Sequence, residues 1–180
     1  MAGQIVLTAS SSGTVTLVPA NTGNAFVATV PARTGNIAVD GPVFRVGPAT
    51  AQTIAHNTIT KVVWGTETYD TNSNFASNAF TPTVAGYYQF TTNVTLTTNN
   101  NSSYYTVIYF YKNGSSFSSF EWGYSGNAGG RSTVGYSDLI SLNGTTDYVE
   151  VYIYNYDYTG LTSVSVRTNS LFSGFMARAT

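Results

Sequence analysis

In Phe80-Thr-Pro-Thr-Val-Ala-Gly86-Tyr-Tyr88-Gln-Phe90 a turn hands over to a strand. Pro82 fixes its own φ and offers no backbone donor, and Gly86 reads as a place where the backbone takes angles that a side chain would forbid. Beyond the glycine, Tyr88 and Phe90 recur at a period of two. They therefore point to one face of a pleat, as core or interface residues. The run from Tyr87 to Leu96 is rich in the aromatic and β-branched types that fit a half-buried sheet surface.

The same period extends in both directions. Upstream, Ile54 to Trp64 places Ile59, Lys61 and Val63 on one side and Thr58, Thr60 and Val62 on the other. Downstream, Tyr104 to Tyr111 runs into Asn113-Gly114, the strongest short-range signal of a hairpin. Asn143-Gly144 repeats that signal between Asp138–Leu142 and Tyr148–Tyr154, and runs around Leu161–Val166 and Ser170–Met176 close the chain. No segment carries a capped helical pattern. Regular strands broken by turns argue for an all-β chain, best fitted by an antiparallel two-sheet jelly roll.

The N-terminal part is different. Ile5/Leu7, Val15/Leu17, Phe26/Ala28/Val30 and Ile37/Val39 form very short strands punctuated by Gly and Pro. Such strands bury too little to offset chain entropy and must pack on something else, most economically the same segment of neighbouring subunits. Gly41-Pro42 and Gly47-Pro48 bracket Val43–Val46 and read as a boundary. The expected division is residues 1–47 as a stalk or docking arm and 48–180 as the jelly-roll knob.

Composition narrows the function. Of 180 residues 42% are hydrophobic but only 8% charged, and the net charge is -1, against roughly 25% charged in an average domain. No field exists to hold a polyanion or an anionic membrane, so nucleic acid is excluded as a partner bound by charge. No apolar run approaches the roughly 20 residues of a membrane span, and no leader precedes the first strand, so synthesis without a signal peptide is expected. With no cysteine and one histidine, thiolate and two-histidine metal sites are excluded, and no cofactor is expected.

The stretch from Phe80 to Phe90 resembles the signature of the globular head shared by complement component one q and tumour necrosis factor: a Phe, five residues, a Gly, then alternating aromatics. Trp64, Asp70 and Phe75 fall at the family's spacings, with Trp64 where Phe is usual. The interval from Phe75 to Phe80 is two residues shorter than the pattern, and Thr92 stands where another aromatic is expected. Ser170-Leu-Phe-Ser-Gly-Phe175 resembles the last strand, and Gly144–Val151 the penultimate hairpin. The resemblance covers residues about 50 to 180. It implies a ten-strand jelly roll that assembles as a homotrimer, with Trp64, Phe75, Phe80, Gly86, Tyr88, Phe90, Phe172 and Phe175 in the core or the trimer interface. Separately, Ser12–Leu17 and Val30–Ala38 resemble strand-turn modules of bacteriophage virion proteins, especially fibre stalks.

Catalytic chemistry finds no constellation. His56 has no acidic neighbour in sequence and reads as a strand-edge or loop residue. Asp70-Thr-Asn-Ser-Asn74 starts like a calcium loop, but Phe75 replaces the required glycine and no twelfth-position Glu follows, which favours an Asx-type turn and no metal. Gly123–Arg131 is glycine-rich without a lysine-serine pair or a following helix, and so reads as a flexible loop. Glu121 and Asp138 mimic a glycosidase pair only if the fold brings them together. Beside the glycine-rich loop, Trp122, Tyr124 and Arg131 form a candidate ligand site for stacking on sugar rings, unless the aromatics fill the core or the trimer seam.

These readings lead to one expectation: a non-enzymatic, trimeric virion structural protein at the particle surface, tail-fibre-like or capsid-associated. Its arm would contact other virion proteins and its knob a host-surface glycan or protein, or else stabilise the particle. The alternative is a secreted trimeric ligand or lectin-like module; a glycan-cleaving enzyme is a remoter one.

Overall fold

The computed structural model describes residues 41–98, 104–124, 131–158 and 163–180. The chain divides into two units, Met1–Gly35 and Asn36–Thr180, and everything below concerns the second. Both phage-like modules, and residues 1–40 of the arm expected over 1–47, lie outside the described residues.

The described residues hold strands and no helix: β1 (Val43–Gly47), β2 (Gln52–Ile54), β3 (Thr58–Lys61), β4 (Thr66–Asp70), β5 (Phe75–Ala76), β6 (Ala79–Phe80), β7 (Gly86–Thr98), β8 (Tyr104–Lys112), β9 (Ser115–Tyr124), β10 (Arg131–Leu142), β11 (Val149–Asp157), β12 (Val164–Val166) and β13 (Leu171–Ala179). Pieces of two or three residues, β2, β5, β6 and β12, raise the count above the ten expected.

Every ladder is antiparallel. In the first sheet β7 is the spine: β10 runs along one side of it from Gly86 to Thr97, and the other side is shared by β13 and then β12. β1 and β4 continue outward from β13, and β2 from β12. In the second sheet β11 lies between β8, backed by β9, and the short strands β3 and β6. The chain is therefore an antiparallel two-sheet jelly roll, in which β9 and β10 end their respective sheets on one side.

The two inner faces meet over an aromatic core. Phe44, Phe80, Tyr88, Phe90, Phe110 and Phe172 are fully buried. Phe172 stands 4.9 Å from Phe44, 5.8 Å from both Trp64 and Phe90, and 6.0 Å from Phe110, between ring centroids. The one hydroxyl in this set is satisfied, because Tyr88 donates to the Val84 carbonyl at 2.7 Å. Burial pushes its pKa up to about 12, so it stays a donor.

Three expectations change. The boundary after Gly47 would sever β1 from the knob, yet β1 is paired on both sides, with β13 and β4, and Phe44 is in the core. The compact unit begins at Asn36 instead. Asn113 and Gly114, at φ 54° and 77°, do close a two-residue hairpin from Lys112 to Ser115. Asn143-Gly144 does not, because β10 pairs with β7 in one sheet and β11 with β8 in the other. That turn carries the chain between sheets.

Gly86 is required for a different reason than the turn suggested. It is the first residue of β7, outside the positive-φ region, and a Cβ there would come 2.5 Å from the Arg178 carbonyl oxygen and 3.3 Å from the Ala179 Cα. Close approach to β13, not backbone freedom, excludes a side chain. Since backbone must move to make room, Gly86→Ala is expected to cost about 1–3 kcal/mol, read as a lower urea midpoint at unchanged m-value.

A polar network ties both Asn-Gly turns together. Asn113 Nδ2 donates to Asp147 Oδ1 at 2.7 Å, and Lys112 Nζ lies 3.1 Å from Asp147 Oδ2. Asn143 Oδ1 accepts from the backbone N–H groups of Thr145, Thr146 and Asp147. The Asn113 amide, opposed in part by burial and joined by Lys112 and the Asn143 N–H, holds the Asp147 carboxyl below its ordinary value. Its folded pKa being depressed, the contribution is complete above the unfolded-state pKa and is lost as pH falls through the folded one. Asp147→Asn is expected to destabilise by at most about 1 kcal/mol at neutral pH, the scale of exposed pairs. Denaturant titrations of both proteins should converge in acid.

Candidate functional site

No catalytic pair assembles from the residues considered. Glu121 lies on β9 opposite Val107 in the second sheet, whereas Asp138 lies on β10 opposite Phe90 in the first. His56 Nδ1 accepts the Asp157 backbone N–H at 3.1 Å, and its ring lies 5.0 Å from that of Tyr156. In the Asp70–Asn74 turn, Asp70 Oδ2 accepts the Phe75 N–H at 2.7 Å and Ser73 takes φ 52°. Among the described residues, no group of three or more His, Asp or Glu could hold a metal ion.

Two surfaces are unusual instead. The first is the outer face of the β10–β7–β13–β1 sheet. Register places Leu139, Gln89, Phe175 and Val43 in one cross-strand row. Leu139 is 49% exposed and Phe175 51%, and Tyr87 is exposed beside them. Next to this face the sandwich is open. Phe120 pairs with the fully buried Ile108 and so belongs to the inward-pointing set of β9, yet it is 43% exposed because, among the described residues, no strand lies beyond it. Its ring lies 6.1 Å from that of Tyr136 on β10, and Phe117 is also exposed.

The second is the outer face of the β9–β8–β11 sheet. Period two in two adjacent strands brings Tyr105, Tyr109 and Tyr111 together with Tyr152, Tyr154 and Tyr156. The rings form two groups. Tyr111 and Tyr152 lie 4.1 Å apart with Tyr109 next to Tyr111; Tyr105 lies 5.3 Å from Tyr156 and 5.8 Å from Tyr154, and Tyr158 joins both Tyr105 and Tyr156. Tyr154 Oη donates to Asn57 Oδ1 at 2.7 Å. A side-chain hydrogen bond with Tyr154, reinforced by burial, pushes the Tyr105 phenol up to about 12, and burial also raises Tyr109 and Tyr152. These three phenols thus stay protonated and the face is rich in hydroxyl groups.

The residues picked out in sequence separate. Trp64, Phe80, Tyr88, Phe90 and Phe172 are core, and Phe75 packs against it. Phe175 alone among those aromatics is on the outer face. Trp122 packs against the core, Arg131 is exposed at the start of β10 opposite Thr97, and residues 125–130 between them, like the Tyr124 side chain, lie outside the described residues. The tyrosine face is not legible in one strand alone, where tyrosines read simply as sheet formers. Its signal was present, since Tyr105/109/111 and Tyr152/154/156 keep one parity in two neighbouring runs.

No family model and no curated protein matches the chain. Its fold is similar to that of solved structures. These include the globular domain of zebrafish complement 1qA protein, at 16% identity and a TM-score of 0.55, covering 78% of this chain and all of that one. Eiger TNF from S. frugiperda matches at 9% identity and 0.54, over 78% of this chain and 93% of its own, and murine APRIL at pH 5.0 at 15% and 0.51, over 76% and 98%. At these identities what is shared is the fold, the jelly roll of C1q/TNF-like globular domains. None of the three is a phage protein.

Proposed function

We propose that the chain is a non-enzymatic binding head that acts as a homotrimer, in the manner of a trimeric ligand or lectin-like module. The observation that carries this is the pair of exposed apolar side chains Leu139 and Phe175, set on either side of Gln89 in one cross-strand row with Val43 beyond, beside a sandwich side that exposes Phe120. Large apolar side chains grouped on one exposed sheet face mark an interaction site. Face and open side are different surfaces, so seating the side of one copy on the face of the next gives a head-to-tail contact, which closes into a ring when the rotation is right. Likeness in fold to a complement globular domain and to two TNF-type proteins supports the reading.

The virion placement survives as a second reading, on the phage-like modules Ser12–Leu17 and Val30–Ala38 alone. It concerns where the trimer is carried, and the two readings share one head.

The absence of cysteine makes a direct test of the contact simple. Phe120→Cys and Phe175→Cys are made singly and together, then treated with a short bismaleimide. Head-to-tail assembly predicts covalent trimers from the double variant and monomers from either single one. Dimers from Phe175→Cys alone would mean a face-to-face contact and defeat the proposal.

A further inference from the structure

We infer that the tyrosine face of the β9–β8–β11 sheet binds an extended, uncharged polysaccharide; this rests on the reading of the chain as a binding head and assigns that head's ligand class and site. The proposed seam takes in the apolar row on the other sheet and the inward-pointing Phe120 at the β9 edge, whereas the tyrosines of β8 and β11 have the opposite parity and point away from the core, so assembly leaves them open.

The ligand class follows from what the face offers and lacks. A pyranose ring has apolar C–H faces and a rim of hydroxyls, and a partly buried phenol, as each of the six strand tyrosines is, presents part of its ring plus a hydroxyl that donates and accepts. Tyr109/Tyr152, Tyr154 and Tyr105/Tyr156 lie in successive cross-strand rows, spaced about 7 Å apart for two residues of strand. That makes a strip, matched to a chain of sugars and longer than a single one needs. Opposite Tyr109 and Tyr105, β9 supplies only Ser119 and Gly123, and a Cβ on Gly123 would meet nothing within 4 Å. Small residues there leave the rings accessible from the side.

Charge selects against acidic ligands. Among the described residues the cation of this face is Lys61, which is paired with Glu150 at 2.5 Å, and Glu121 on β9 adds a negative charge. Sulfated or uronic-acid chains would meet repulsion without compensation. Arg and Trp, the usual anchors of a protein interface, are missing from the strip, which favours sugar over a protein partner.

The test uses affinity electrophoresis of the full chain through gels containing dextran, mannan, mixed-linkage β-glucan or dextran sulfate, with light scattering on every variant. At least one neutral polysaccharide should retard the protein, and dextran sulfate should not. Tyr158→Ala removes a ring that is 69% exposed and so spares the fold; it should weaken retardation several-fold, and adding Tyr156→Ala should bring the loss to about tenfold or more. Tyr105→Phe and Tyr154→Phe keep the rings and should lose less. Retardation only by dextran sulfate, by no polysaccharide, or equally for the double alanine variant would overturn the assignment while a trimeric mass leaves the binding-head reading intact. A change of mass in the face variants would show that a second copy covers the face, which also overturns it. A monomeric wild type would count against the assembly itself.

Discussion

Phe172→Ala should lower the unfolding free energy by about 3–5 kcal/mol. The ring is fully buried and lies against five others from five segments of the chain: Phe44 on β1, Trp64 after β3, Phe75 on β5, Phe90 on β7 and Phe110 on β8. The last of these belongs to the opposite sheet, so the deletion opens a cavity where the two layers meet. A domain's whole stability is about 5–15 kcal/mol, and the loss is therefore most of what a weak fold has. Chemical denaturation at fixed protein concentration reads it, the concentration being held because assembly adds to apparent stability. Phe172→Leu, which keeps much of the volume, should cost less than half as much.

The second large effect separates folding from assembly. Phe175 is half exposed in the single chain, and its Cα partners are Val43 and Gln89 on the outer face. Phe175→Asp should leave the fold's stability within about 0.5 kcal/mol, as surface changes do. In a seam the same substitution buries an unpaired carboxylate once per copy, at a cost of several kcal/mol each. Association should weaken by at least about a hundredfold, which light scattering at micromolar concentration reads as conversion to monomer. Unfolding instead of dissociation would place Phe175 in the folding core and not in a seam.

Much of this architecture is legible in the sequence, and the failures have physical causes. Tyr88 and Phe90 alternate with polar neighbours because one side of β7 meets the core, so period two reports burial directly. Asn113-Gly114 was readable because its two positive-φ positions fix a local geometry. Asn143-Gly144 carries the same local chemistry, with Gly144 at φ 72°, but turn chemistry sets backbone angles and says nothing about which sheet the next strand joins. Likewise the two Gly-Pro pairs look alike in sequence, yet Val43–Gly47 between them is held by pairing with Leu171–Ala179, more than a hundred residues away. Long-range register decides such cases. It also decides the candidate surfaces: Trp122 reads as a loop aromatic until its partner Thr106 places it on the inner side, and six tyrosines become one surface only when β8 and β11 are laid side by side.

The low charge takes its place in the same account. A chain with 8% charged residues keeps its apolar row and aromatic side compatible with a seam, where charge is depleted and aromatics are enriched. Multi-angle light scattering of the purified wild-type chain tests this most directly. A trimer gives one species of about 58 kDa, three times 19.2 kDa, that persists on dilution through the micromolar range. A folded, monodisperse 19.2 kDa monomer would contradict it.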